Sequence, residues 1–122
     1  MLPTVYAWLA AAAPVTALIG SNPSRCYRHG EAPQGVLRPY VTWFINGIAP
    51  EQLVDGKPPP VDGWGASVDA WSDTDAGVEA LAQVVRDALE SKGYMTGINF
   101  DSRDAQTGRY RIGMQFEFWV FR

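Results

Sequence analysis

The chain has 122 residues, of which 47% are hydrophobic, 12% aromatic and 19% charged, with a formal net charge of -3. That length holds one core and is too short for two domains of ordinary size, and the apolar content excludes a wholly disordered chain. A single Cys and a single His exclude an internal disulfide framework and leave no ligand set for a Cys-rich or His-rich metal site.

Residues 1–24 carry no charged side chain. The apolar run has no basic stretch before it, Pro14 interrupts it, and Ser21-Asn22-Pro23-Ser24 is a loop signal. A retained helix packed on the core is therefore expected, not a signal or membrane segment. Val5, Leu9 and Ala12 recur at helical spacing with Trp8 on the same side, after an opening Pro3-Thr4. A second short helical turn is expected through Val15-Thr16-Ala17-Leu18-Ile19, with Pro14 in its first turn and Gly20 as its cap.

Arg25-Cys26-Tyr27-Arg28 reads as a short strand, and Tyr40-Val41-Thr42-Trp43-Phe44-Ile45, apolar on both faces, as a buried one. The segment from Asn46 to Gly63, with Pro58-Pro59-Pro60 inside it, is expected to be a long loop and a place for partner contact. From Trp64 to Trp71 the pattern alternates: Trp64, Ala66, Val68 and Ala70 share one face, Ser67, Asp69 and Trp71 the other.

Ser72-Asp73-Thr74-Asp75 supplies an N-cap and a first-turn acid for an amphipathic helix whose stripe is Val78, Leu81, Val85, Ala88 and Leu89. Lys92 and Gly93 mark its end. Thr96–Asp101 and a last strand from Tyr110 form a hairpin through Asp104-Ala105-Gln106-Thr107-Gly108. On the last strand Tyr110, Ile112, Met114, Phe116, Phe118 and Val120 share one face, and Arg111, Gly113, Gln115, Glu117 and Trp119 the other. The sum is one α+β domain over residues 1–122, an antiparallel or mixed sheet of about four strands with helices packed on one face.

The charge is segregated. Residues 1–50 balance at +2, residues 51–104 at -7, and residues 105–122 at +2. Such asymmetry bears on association more than on fold. Acids Glu51, Asp55 and Asp62 of the long loop, with its Lys57, and bases Arg25, Arg103, Arg109 and Arg111 are the candidate contact residues, meeting across a boundary between copies or with another component.

Catalytic motifs are lacking. His29 has no G-x-S-x-G or comparable nucleophile context, and Cys26-x-x-His29 is only half of a metal site. Asp69, Asp73, Asp75, Asp101 and Asp104 are explained by strand ends, a cap and a turn. No phosphate, dinucleotide or calcium motif occurs, so no cofactor is expected. The run from Arg109 to Phe118 mixes bases with aromatics, as single-stranded nucleic-acid platforms do, but a pI near 5.0 opposes phosphate binding. A nucleic-acid or small-ligand module of similar fold is the alternative reading.

Taken in order, Val5-Tyr6 with Leu9, Pro14-Val15-Thr16-Ala17-Leu18-Ile19-Gly20, Ala32-Pro33-Gln34-Gly35 before Pro39-Tyr40-Val41, Val68-Asp69-Ala70-Trp71-Ser72, and Ala80-Leu81 with Val84-Val85-Arg86-Asp87-Ala88-Leu89 make the chain similar to the tail-completion, or tail-terminator, proteins of long-tailed bacteriophages. Pro58-Pro59-Pro60 and Gly65-Ala66-Ser67 depart from the family pattern, the latter where relatives often place a base. The resemblance implies a virion structural protein without catalytic residue or cofactor. It implies a ring of six copies at the head-proximal end of the tail, assembled in the bacterial cytoplasm. Its partners would be itself, the tail-tube protein, the head-tail connector or stopper, and the tape-measure protein; a membrane and sequence-specific nucleic acid are not among them.

Overall fold

The computed structural model describes residues 2–50 and 61–121. Two short helices, α1 (Val5–Ala10) and α2 (Ala13–Ile19), open the chain, followed by strands β1 (Cys26–Arg28), β2 (Tyr40–Pro50) and β3 (Val61–Ser72). Helix α3 (Asp75–Leu89) and the pair β4 (Gly93–Arg103) and β5 (Tyr110–Phe121) complete it. The strands form one sheet in the order β1-β2-β3-β5-β4. β1 is parallel to β2 and every other pair is antiparallel, so the sheet is mixed and has five strands where about four were expected.

Helices of six and seven residues are too short to persist on propensity alone. Here burial holds them: Val5, Leu9, Val15 and Ile19 are fully enclosed. Pro14 sits in the first turn of α2, and Gly20 ends it at φ 79°, its N–H donating to the Thr16 carbonyl. Arg25 then ties the turn down, donating from Nε to the Pro39 carbonyl and from Nη2 to the Leu18 carbonyl, each at 3.0 Å. None of the helices among the described residues is long and apolar enough to cross a membrane.

α3 begins at Thr74, whose hydroxyl accepts the Gly77 N–H at 3.0 Å. That bond satisfies one of the orphan donors of the first turn. Its buried stripe of Val78, Leu81, Ala82, Val85 and Leu89 meets the sheet at Ala66, Val68 and Ala70 of β3 and Met114, Phe116 and Phe118 of β5. Phe116 and Phe118 stack at 5.5 Å, and Trp8 of α1 sets its edge on Phe118 at 5.1 Å.

Three expectations are corrected. Residues 46–50 and 61–63, expected as loop, are strand, with Gly47 opposite Gly65, Ile48 opposite Trp64 and Pro50 opposite Asp62. A register shift between Ile45 and Gly47 breaks the period-2 pattern there, which hides the continuation from an alternation argument. Phe44 is exposed, so β2 is buried on both faces only through Trp43. Gly93 is not the cap of α3: the helix ends at Leu89 with Glu90 as its C-cap, and Gly93 opens β4, where a Cβ would run into the Glu117 carbonyl and the Phe118 backbone.

Candidate functional site

Among the described residues all three helices lie on one face of the sheet, so the residues at the alternate positions of β2, β3, β5 and β4 make a second face over which no described helix packs. Period-2 alternation assigns it, and the register aligns it: Thr42 opposite Asp69, Asp69 opposite Gly113, Gly113 opposite Phe100, and Trp71 opposite Arg111.

At its centre Asp69 is 3% exposed, and its Oδ2 accepts from Arg111 Nη2 at 2.6 Å and Nε at 3.1 Å. A buried carboxylate needs such a partner, because an uncompensated charge in this position is costly. The guanidinium lies between two rings, 3.8 Å from the centroid of Phe100 and 5.1 Å from that of Trp71. Gly113 leaves the space: a Cβ there would come within 2.7 Å of Asp69 Oδ1 and 2.9 Å of the Phe100 ring. Trp71 donates its indole N–H to Thr42 Oγ1 at 3.0 Å and stacks on Tyr40 at 5.7 Å with an interplanar angle of 8°. Tyr40 in turn accepts a bond from Arg109 Nη1 at 3.0 Å.

Toward the other end the face becomes polar, then apolar. Asn46 and Gln115 exchange amide bonds at 2.7 and 3.1 Å. Beyond them Tyr94 and Trp119 meet at 5.5 Å, and Tyr94, Trp119 and Phe121 are 44%, 52% and 76% exposed. Singly exposed apolar residues are ordinary; here three exposed aromatics share one corner of the sheet and make an apolar patch.

The residues expected to make contacts fare differently. Glu51, Asp55 and Lys57 lie outside the described residues. Asp62 is within β3 and buried, not in a loop. Arg25 is engaged by two carbonyls, and Arg103 lies over Tyr110 at 5.8 Å at the base of the hairpin. Arg109 and Arg111 are brought together on the open face. Their partners Tyr40, Asp69, Trp71 and Phe100 were not singled out as contact residues. Alternation had already placed Asp69 and Trp71 on one side; what was lacking was the register that sets Arg111 and Phe100 beside them.

Cys26 and His29 do not converge on a site. Cys26 is buried, and desolvation pushes its thiol up to about 12, whereas His29 is exposed at φ 68° in the turn after β1. Among the described residues no group of three or more His, Cys, Asp or Glu side chains is placed to hold a metal ion. The aromatic character claimed for a stacking platform is also displaced, since Phe116 and Phe118 are fully buried.

The fold is thus a helix-backed sheet whose other face carries a fixed arginine, stacked rings and a corner of exposed aromatics. Comparison with known proteins names the group. Over residues 3–120 the sequence matches the family described as Tail completion protein gp17. The chain belongs to that family, and so to the structural proteins of phage tails. Among solved structures, a chain of the virion of a native gene transfer agent particle is similar in fold, with a TM-score of 0.63 and 24% identity, over 97% of this chain and 92% of that one. Comparison with curated proteins gives no match.

Proposed function

We propose that the protein completes the phage tail by forming a closed ring, six copies in the reading the family resemblance gives, on the head-proximal end of the tail tube. The ring ends tube polymerisation and offers the surface on which the head connector or stopper seats. Family membership across nearly the whole chain supports the tail assignment. The observation that carries the contact role is the sheet face over which no described helix packs, with Arg111 set against Trp71 and Phe100 and the exposed Tyr94, Trp119 and Phe121 corner beyond.

In this reading the open face meets another tail component, the tube protein or the tape-measure protein at the tube's end. A planar cation held flat by Asp69 and flanked by rings gives such a contact direction, and the exposed aromatics give it buried area. Arg109, beside Arg111, belongs to the same surface. Glu51, Asp55 and Lys57, in the connection between β2 and β3, are proposed contacts as well.

Deletion of the gene in its phage, followed by electron microscopy of the lysate, tests the reading. Overlong or headless tails, restored by the wild-type gene, are expected. Tails of normal length joined to heads would refute it.

A further inference from the structure

We propose that the open face receives an arginine side chain of another tail protein in a cleft beside Glu117. This rests on the open-face reading above and names the chemistry of the partner that face meets.

The cleft follows from a likeness between the two ends of the β3–β5 pair. Asp69-Ala70-Trp71 on β3 and Glu117-Phe118-Trp119 on β5 each set an acid and a tryptophan on the open face, two positions apart. The strands are antiparallel, so their neighbours correspond: Gly113 stands opposite Asp69 and Arg111 opposite Trp71, while Gly65 stands opposite Glu117 and Gly63 opposite Trp119. At the first end Arg111 supplies the guanidinium that the acid holds and the indole lies beside. At the second end the corresponding position is Gly63, which supplies no side chain. The result is a cleft of about 270 Å³ floored by Gly47, Gly63 and Gly65 and bounded by the Asn46–Gln115 amide pair. At Gly47 a Cβ would meet nothing within 4 Å, so the floor there is bare backbone.

Glu117 is the one charged residue of the lining. It is half-buried, and among the described residues no ion pair or hydrogen bond engages its carboxylate. Tyr94 stands opposite it on β4, and the exposed rings of Tyr94 and Trp119 lie 5.5 Å apart. A carboxylate beside exposed rings selects a cation. It favours a guanidinium over an ammonium, because the planar group binds both carboxylate oxygens and stacks on a ring, as Arg111 does. The chain's own arginines are committed elsewhere. Arg28 and Arg103, the two exposed ones, lie over Trp43 and Tyr110, and every other described arginine is held by a carboxylate, by backbone carbonyls or by Tyr40. A different tail protein, not a second copy, is therefore the donor.

Charge exchange in the phage tests it. The gene-deleted phage is complemented with Glu117→Gln, which keeps the side chain's shape and removes its charge, or with Glu117→Arg. The titre of headed particles is expected to fall about tenfold and about 1,000-fold respectively, in variants whose buried Cys26 stays protected from labelling. Arginines of the other tail proteins are then replaced by Glu one at a time. One such replacement should restore headed tails to Glu117→Arg and be defective with the wild-type chain. An unchanged titre for Glu117→Gln, no rescue from any arginine of another tail protein, or rescue only by an exchange within this chain overturns the proposal. Each of these leaves the open-face reading standing if Trp119→Glu/Phe121→Glu still fails to complete tails; headed tails from that variant would instead remove that reading.

Discussion

One strand, β5, serves two surfaces that obey different rules. On the helix side Met114, Phe116 and Phe118 are almost wholly excluded from water. On the other side Arg111, Gln115 and Glu117 are half-buried and Trp119 is exposed. The first set is held by packing against helices of the same chain, the second by lateral contacts within the sheet: Arg111 to Asp69, Gln115 to Asn46, Trp119 to Tyr94. The covered side settles whether the chain folds. The other side takes its shape from the Asp69–Arg111 pair and its neighbours, and the contact role proposed above is placed there.

That contrast can be broken by substitution at neighbouring positions of the same strand. Phe116→Ala should cost about 3–5 kcal/mol of stability, since the stacked ring leaves a cavity beneath α3; urea unfolding followed by tryptophan fluorescence measures it. Arg111→Ala comes next, at about 3 kcal/mol, because it strands the Asp69 carboxylate in a buried position. The double variant Asp69→Ala/Arg111→Ala should recover part of that loss. A cost of the double variant equal to the sum of the two single-variant costs would mean that the pair does not couple.

Cys26 sharpens the comparison from the covered side. Its thiol is raised from an ordinary 9.0 to about 12 by burial, so the folded chain holds the proton that the unfolded chain releases. The stability this contributes is fully present below pH 9 and is lost as pH rises toward 12. Relative to Cys26→Ala, wild type should therefore lose stability across that window, and the thiol should resist labelling at pH 8 until the chain unfolds. The smallest effect on folding is expected from Trp119→Ser, about 1 kcal/mol or less for one exposed ring contact. Cys26 should stay protected in that variant while tail completion fails.

Much of this architecture was legible because its signals are local. The stripe of α3, the Thr74 cap, the Pro14 and Gly20 boundaries of α2 and the alternation of β5 each come from spacing within a short window. What stayed hidden depends on distant residues. The strand between Asn46 and Pro50 is rich in Gly and Pro and follows an irregularity, so no local pattern marks it; pairing with β3 makes it a strand. The Gly93 role is set by the approach of Phe118, twenty-five positions away in sequence. The candidate site was half legible for the same reason. Arg109 and Arg111 stood out as bases among aromatics, but Asp69 and Phe100 become their neighbours only through the order β3-β5-β4. Charge balance along the chain likewise pointed to the acids near Asp62, whereas Asp62 itself is buried in β3.

The tail-length distribution in electron micrographs, for a gene-deleted phage complemented with wild type or with a Trp119→Glu/Phe121→Glu chain, tests the central claim most directly. Overlong or headless tails are expected in the deletion, normal tails with wild type, and no restoration by the variant even though that variant folds with Cys26 protected. Restoration of normal, headed tails by the variant would contradict the role assigned to the open face, and normal tails in the deletion itself would contradict the account as a whole.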